Sequence, residues 1–207
     1  MTEHADGISP VSGHEALARL IAGNERFVRG ATVHTRPHNE KLEQLAKGQR
    51  PFAAILGCSD SRVPPELVFD QSLGDLFIVR LPGNVVSAEV AGGLEYALVH
   101  LRVPLLLVMG HEGCWAVQAA VALKSGVTAV GWRLQVLLRD VLPALEGIDG
   151  RLPAEEQMRQ AVEANVGRSM RHLAQIPEGE LALAENRPMM VGAVYEIRTG
   201  RVRFLAC

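Results

Sequence analysis

The spacing of apolar and polar residues along the chain predicts strands that alternate with helices. Three short aliphatic runs have the length and composition of buried strands, and they occupy residues 52–57, 76–79 and 104–109. Between the second and third runs, apolar residues recur at helical spacing from Ser87 to Leu101. This alternation predicts a parallel sheet, in which side chains just past the carboxyl ends of the strands face a common crevice.

Further elements are predicted on both sides of these strands in the sequence. Ser12 and Glu15 form a capping-box pattern, and the helical spacing that follows them ends at Gly30. A short helix then carries Leu42 and Leu45. After the third strand, helices are predicted at residues 115–124, about 131–145 and about 154–175. A hairpin at one sheet edge is predicted from residues 187–197 and 202–205.

Together these elements predict an α/β fold with a mostly parallel central sheet of about five strands, an antiparallel edge strand, flanking helices and an N-terminal helical arm. No repeat or linker marks a second domain, so we expect one domain over residues 1–207. Residues 1–11 are expected to be a disordered lead, and the arm is expected at about 12–47. Because the arm precedes every strand, it either folds back on its own sheet or packs on a neighbouring subunit.

Composition limits the classes of protein to consider. Hydrophobic residues make up 48% of the chain and aromatic residues only 4%, so the core must be aliphatic, as in most parallel sheets. The formal charge of -2, without a Lys/Arg block, offers no field or patch for nucleic acid or a membrane surface. Neither a secretory signal nor an apolar run of the roughly 20 residues needed to span a bilayer is visible. We therefore expect a cytoplasmic protein whose cysteines are thiols or metal ligands.

Two segments at predicted strand ends carry the candidate chemistry. Cys58 follows the first strand, and His111 and Cys114 follow the third. The histidine and the second cysteine, three residues apart at the expected start of a helix, would lie on one helix face. With Cys58 they form a Cys2His set suited to Zn2+, one ion per subunit. Structural zinc sites normally have four protein ligands, and the sequence offers no evident fourth, so an open catalytic site is indicated.

Asp60 and Arg62, beside the first cysteine, indicate a role beyond metal binding. A carboxylate two residues from a ligand can coordinate the metal itself or hold the water on the metal. Arg62 would orient the oxygens of Asp60 and keep its pKa low. Two simpler interpretations remain at this point: a surface ion pair of little energetic weight, and cysteines and a histidine that are only core residues.

Two glycine-containing segments carry expectations about local packing. Gly83 and Asn84 lie in a tight connection after the second strand, and both tolerate positive φ, which suits a backbone that approaches a metal or a small anion. Gly92 and Gly93 lower the helix propensity of the segment they lie in. Their presence there predicts close packing of this helix against another backbone.

Several segments match one enzyme family. They are ALARLIAGNERFVRG, CSDSRVPPE, GDLFIVR, the GN at 83–84, LEYALVHL, MGHEGC, the NV at 165–166 and VGAVYEIRTGRV. From about residue 17 to 205 the chain resembles the β-class carbonic anhydrases in their plant-like, open-site form, with CxDSR and GHxxC as a highly specific pair. The resemblance implies zinc on Cys58, His111 and Cys114, and a catalytic dyad of Asp60 and Arg62. It also implies an arm that wraps a partner subunit, in a homodimer or a dimer-based higher oligomer.

The resemblance further implies a substrate pocket and a reaction. Gln49, Phe77 and Tyr96 match the residues that line the carbon dioxide pocket at the subunit interface of the open form, and Gly113 of the second motif is assigned to the same pocket. The implied activity is the zinc-dependent, reversible hydration of carbon dioxide to bicarbonate and a proton. No nucleic acid or membrane partner is expected.

In the closed form of the family, a Trp-Arg-Tyr set binds bicarbonate. Arg80 and Tyr195 match the last two of these residues, but Ile55 stands at the tryptophan position. The resemblance therefore implies an open site with water as the fourth ligand. Trp115 departs from the glycine that the family usually has after the second cysteine, and Leu81-Pro82 replaces the usual Asn-Ala. Two alternative functions stay open: hydrolysis of carbonyl sulfide or carbon disulfide on the same scaffold, and a zinc-binding module without turnover.

Overall fold

The computed structural model of the protein describes residues 11–33, 39–126, 131–175 and 188–206. Its centre is a sheet of five strands: β1 (Ala53–Gly57), β2 (Leu76–Arg80), β3 (Leu105–His111), β4 (Met189–Tyr195) and β5 (Val202–Phe204). Their order across the sheet is β2-β1-β3-β4-β5. The first four strands are parallel, and β5 pairs antiparallel with β4. The predicted α/β fold, with its mostly parallel sheet and antiparallel edge strand, is confirmed.

Helices flank the sheet, and all but α3 lie where the sequence analysis predicts them. They are α1 (Gly13–Val28), α2 (Asn39–Leu45), α3 (Pro65–Val68), α4 (Ala88–Glu95), α5 (Trp115–Lys124), α6 (Trp132–Val141) and α7 (Ala154–Gln175). The helix predicted to reach Leu101 is α-helical only to Glu95, and a π-helical turn, Tyr96–His100, follows it. The backbone N–H of Leu101 accordingly donates to the carbonyl of Tyr96, five residues back.

Burial differs sharply between the strands. All residues of β1 and β3, at the centre of the sheet, are buried, and their unbroken aliphatic runs are what strands covered on both faces require. All five residues of β2, at the edge, are only half-buried. Within one subunit, the β2 edge is therefore less covered than the centre of the sheet.

The first helix of the arm folds back on its own subunit. The predicted capping box is present: the backbone N–H of Glu15 donates to Ser12 Oγ at 3.2 Å, and Ser12 N–H donates to the Glu15 carboxylate at 2.7 Å. Leu20 is fully buried, and Asn24 Nδ2 donates to the carbonyl of Val68, the last residue of α3, and to the carbonyl of Gly200. Two placements were expected for the arm, on its own sheet or on a neighbouring subunit, and α1 adopts the first of them. In contrast, α2 contains no buried residue.

The prediction that His111 and Cys114 share a helix face is wrong. His111 is the last residue of β3, and Cys114 has extended backbone torsions (φ -63°, ψ 116°) immediately before α5. Gly113, with φ 62°, forms the turn between them. A tight turn, rather than helical spacing, therefore brings the two side chains together.

Two further expectations need correction. A Cβ at Gly92 would meet no described atom within 4 Å, and one at Gly93 would meet only a Val79 methyl at 3.6 Å, so the predicted close backbone contact is not made within the described part of this subunit. Val11, assigned to the disordered lead, is buried. The rest of the lead lies outside the described residues. Among the described helices, none has the length and apolar character that a membrane crossing requires.

Candidate metal and catalytic site

Three potential metal ligands converge at the carboxyl ends of the two central strands. Gly57 of β1 lies in register with Met109 of β3, so Cys58, one residue further on, and His111 emerge at the same edge of the sheet. The turn after β3 then adds Cys114. The two sulfur atoms are 4.0 Å apart, and the three ligand atoms all lie within 4.8 Å of one another. All three residues are buried.

The imidazole of His111 is oriented as a ligand. Its Nδ1 lies 2.8 Å from the carbonyl oxygen of Glu112, an acceptor, so Nδ1 carries the proton and Nε2 presents a lone pair. Nε2 is buried and has no hydrogen-bond partner among the described residues. An unpaired buried nitrogen is costly unless a cation occupies its lone pair. Two thiolates and such a nitrogen are a donor set that suits zinc.

The two cysteines differ in proton affinity. The pKa of Cys58 is lowered, first because the Cys114 thiol donates a hydrogen bond to its sulfur, and further by hydrogen bonds from the backbone of Asp60 and Gly83. The pKa of Cys114 is raised by its hydrogen bond to Cys58 and by burial. The pair therefore retains one proton, because two buried negative charges side by side repel each other. A divalent cation would displace that proton and stabilise both thiolates.

Asp60 and Arg62 form a fork-to-fork ion pair at the edge of this cluster. Arg62 Nε donates to Asp60 Oδ1 at 2.9 Å and Nη2 donates to Oδ2 at 2.7 Å, while the backbone N–H of Arg62 also donates to Oδ1. These hydrogen bonds hold the pKa of Asp60 well below its usual range, so its carboxylate is an obligate acceptor at neutral pH. Asp60 Oδ2 lies 4.0 Å from Nε2 of His111, next to the lone pair that a metal would use.

The residues assigned to the substrate pocket occupy three places within one subunit. The carbonyl of Gly113 accepts a hydrogen bond from Arg62 Nη2 at 3.4 Å, which places it beside the dyad. Phe77 on β2 and Tyr96 after α4 pack together, with ring centroids 6.0 Å apart. Gln49 is exposed in the loop between α2 and β1. Phe77 and Tyr96 therefore form a cluster on the β2 side of the sheet, where the edge strand is only half-buried within one subunit.

Arg80 fixes the loop that carries Cys58 and Asp60. It ends β2 in register with Gly57, and its guanidinium donates to the carbonyl of Cys58 at 2.8 Å and to that of Asp60. Tyr195 is buried at the end of β4 and Ile55 is fully buried in β1. In this structure, Arg80 is thus occupied with backbone carbonyls of the site loop.

Sequence reasoning missed the contact between α7 and the metal site. The connection after β2 places the N–H of Gly83 at 3.3 Å from Cys58 Sγ, and Asn165 of α7 donates to the carbonyl of Gly83 at 2.7 Å. The NV at 165–166 was among the matching segments, but nothing in the sequence indicated that its asparagine reaches residue 83. That information lies only in the packing of α7 beneath the connection.

Comparison with known proteins gives a consistent result. A family described as carbonic anhydrase matches residues 53–202. Carbonic anhydrase 2 of Mycobacterium tuberculosis is 38% identical over 195 residues, which cover 93% of this chain and 91% of that protein. A carbonic anhydrase of Mycolicibacterium smegmatis is 37% identical, over 94% and 92% of the two chains.

Solved structures agree with these relatives. A crystal structure of a tetrameric β-carbonic anhydrase from Sordaria macrospora superposes with a TM-score of 0.75 at 28% identity, and the match covers 94% of this chain and 96% of that one. Because the carbonic anhydrase family matches residues 53–202, and because the relatives and the fold agree with that match, this chain belongs to the β-carbonic anhydrase family.

Proposed function

We propose that the protein catalyses the reversible hydration of carbon dioxide to bicarbonate and a proton, with one zinc ion per subunit held by Cys58 Sγ, His111 Nε2 and Cys114 Sγ. The observation that carries this proposal is the position of the Asp60 carboxylate, 4.0 Å from His111 Nε2 and fixed by Arg62. A site that only stabilised the fold would have no use for an oriented, ionised acceptor next to its ligands. For the same reason, a zinc-binding module without turnover is the weaker hypothesis.

Each residue of the site has a defined task in this reaction. Zinc bound by Cys58, His111 and Cys114 would supply a water-derived nucleophile by lowering the pKa of water. Asp60 Oδ2 would accept a hydrogen bond from that nucleophile and orient it towards carbon dioxide. Arg62 keeps both carboxylate oxygens oriented, so Asp60 faces the reacting atoms as an acceptor rather than as a ligand.

The proposed substrate pocket completes the site. Across the subunit interface proposed below, Phe77 and Tyr96 would provide an apolar surface for a nonpolar gas, Gln49 would donate a hydrogen bond to a substrate oxygen, and Gly113 would line the pocket beside Arg62. Trp115, which is 48% exposed at the first position of α5, lies directly after a proposed ligand. Because of this position, the activity of the protein towards carbon dioxide should be compared with its activity towards carbonyl sulfide.

We further propose that two subunits pair through the β2 side, in a homodimer or a dimer-based higher oligomer. The edge strand is half-buried throughout, the face of α4 at Gly92 meets no described atom, and Leu67 and Leu73 are exposed in the segment that leads to β2. Covering these apolar residues would stabilise the pair. Light scattering is expected to give at least twice the 22.4 kDa of one chain. A monomer with full activity would contradict a pocket at a subunit interface.

Three further assignments belong to the same proposal: a single domain over residues 1–207, a helical arm at about 12–47, and a cytoplasmic location in which the cysteines remain reduced.

The decisive experiment on the proposed function combines metal analysis with stopped-flow hydration of carbon dioxide by the purified protein. One zinc per subunit and rapid hydration are expected. Hydrogen sulfide release from carbonyl sulfide without hydration activity would favour the hydrolase instead, and bound zinc with neither activity would favour the binding module.

A further inference from the structure

The sulfur of Cys58 accepts a hydrogen bond from a backbone amide that is far from it in sequence. The N–H of Gly83, in the connection after β2, lies 3.3 Å from Cys58 Sγ. Gly83 is buried and has φ 71°, a conformation that favours glycine, and a Cβ there would lie 3.0 Å from the Cβ of Ala116. A side chain at position 83 would therefore be strained, and glycine favours the close approach of this connection to the sulfur.

The connection is held in place by the buried face of α7. Asn165 Nδ2 donates to the carbonyl of Gly83 at 2.7 Å, and one turn later Ser169 Oγ donates to the carbonyl of Asn84 at 2.9 Å. Asn165 is 1% exposed and Ser169 is 4% exposed. Because a glycine has little intrinsic torsional preference, its orientation depends on the contacts that fix it. The contact that fixes Gly83 from α7 is the amide of Asn165.

We propose that Asn165 is a positioning residue for the metal site, which acts through Gly83 on the sulfur of Cys58. Its hydrogen bond to the Gly83 carbonyl holds the N–H of the same residue towards the thiolate. The inference rests on the proposed metal site, but it does not depend on carbon dioxide as the substrate. The chain of contacts runs from a buried helix face to a ligand atom without touching substrate, so Asn165 is not itself a catalytic residue.

The physical effect of these successive contacts is on the charge of the Cys58 sulfur. An N–H that donates to a thiolate withdraws electron density from it, and the thiolate then donates less charge to its metal. The same hydrogen bond restricts where the sulfur can lie relative to the other two ligands. Removal of such supporting contacts typically lowers metal affinity by about 10- to 100-fold.

The experiment compares Asn165→Leu with Ser169→Ala in protein reconstituted with Co2+, whose bonds to thiolates give charge-transfer absorption bands. Leu has the same number and branching of side-chain heavy atoms as Asn but donates no hydrogen bond. Ser169→Ala removes a buried hydrogen bond from the same helix to the neighbouring carbonyl, so it measures the general effect of loosening the connection. Thermal unfolding of both variants identifies losses of overall stability.

The proposal makes distinct predictions for the two variants. In Asn165→Leu, we expect the charge-transfer band to move to lower energy and the affinity for zinc, measured by competition with a chelator, to fall about 10- to 100-fold. In Ser169→Ala, the band should keep its position. An unchanged band and unchanged zinc affinity in folded Asn165→Leu, or equal shifts in both variants, would overturn the role of Asn165. Failure of the wild-type protein to bind Co2+ through two thiolates would instead refute the metal site on which both proposals depend.

A measurement on the wild-type protein covers the case in which Asn165→Leu does not fold. With 113Cd in the site, the amide proton of Gly83 should show a scalar coupling to the metal through its hydrogen bond to Cys58. Asn165→Asp, which keeps the shape of the side chain but replaces the donor by an acceptor at neutral pH, should lose that coupling. Absence of the coupling in the wild type, or its retention in Asn165→Asp, would contradict the proposed chain of contacts.

Discussion

Substitution of Asp60 by Asn tests whether the oriented carboxylate takes part in catalysis. The two side chains have nearly the same shape, so the change alters hydrogen bonding rather than packing. Two donors of Arg62, its backbone N–H and Nε, meet at Asp60 Oδ1, and the amide oxygen would occupy that position. The amide nitrogen would then replace Oδ2, the atom 4.0 Å from His111 Nε2. An acceptor next to the nucleophile would thus become a donor.

The expected loss follows from the strength of one hydrogen bond to a charged group. Such a bond contributes about 1.5–3 kcal/mol, and every 1.36 kcal/mol changes a rate about tenfold. We therefore expect kcat/KM for carbon dioxide hydration to fall by about 10- to 150-fold in stopped-flow assays. Zinc content should stay at one per subunit, because Asp60 is outside the proposed ligand set.

The chain contains a matched control. Arg151 donates to Asp149 through its backbone N–H and Nε at Oδ1 and through Nη2 at Oδ2, the same pattern as in the proposed dyad. This second pair is exposed at the surface. Asp149→Asn should therefore leave kcat/KM unchanged. Full activity of Asp60→Asn, or an equal loss in both variants, would refute the role assigned to the carboxylate.

Three further predictions concern the metal, the packing of the arm and pH. Cys58→Ser should abolish hydration together with zinc binding, which metal analysis would reveal. Gly23→Ala places a Cβ 1.8 Å from the carbonyl oxygen of Phe69 and should lower the free energy of unfolding in urea by at least about 2 kcal/mol. The pKa of Glu156 is lowered to about 2, first by its hydrogen bonds from Arg159. Glu156→Gln should therefore lower the melting temperature at neutral pH. The difference should fade as the pH falls from about 4.3, the pKa of an unfolded Glu, towards the pKa of Glu156 in the folded protein. Equal melting temperatures at pH 7 would contradict this prediction.

The parts of the fold that depend on local periodicity could be predicted from the sequence. The bounds of α5 and α7 match the predicted helices at both ends, because each has a defined apolar stripe and a clear start. The strands could also be predicted, since unbroken aliphatic runs mark buried parallel strands. The last turn after α4 could not, because the choice between an α-helical and a π-helical turn depends on packing rather than on residue type.

In the candidate site, too, some features could be predicted from the sequence and others could not. The convergence of Cys58 and His111 followed from their places after parallel strands, without any knowledge of register. The route by which Cys114 joins them was predicted wrongly, because the positive φ of Gly113 allows a turn where helical spacing was assumed. The contact from Asn165 to Gly83 joins residues 82 positions apart and leaves no local signal at either end.

The two Asp-x-Arg pairs explain why a short motif does not by itself identify a catalytic dyad. Both arginines close the same fork on the aspartate two residues earlier, so this geometry follows from local spacing alone. The side chain of Asp149 is 48% exposed, whereas that of Asp60 is 18% exposed and lies 4.0 Å from a buried imidazole. Water competes for the first carboxylate and screens its charge, but the second can act on a neighbouring nucleophile. Chemical function thus depends on the strand ends that place the pair, and moving an intact Asp-x-Arg pair elsewhere would transfer its geometry but not its activity.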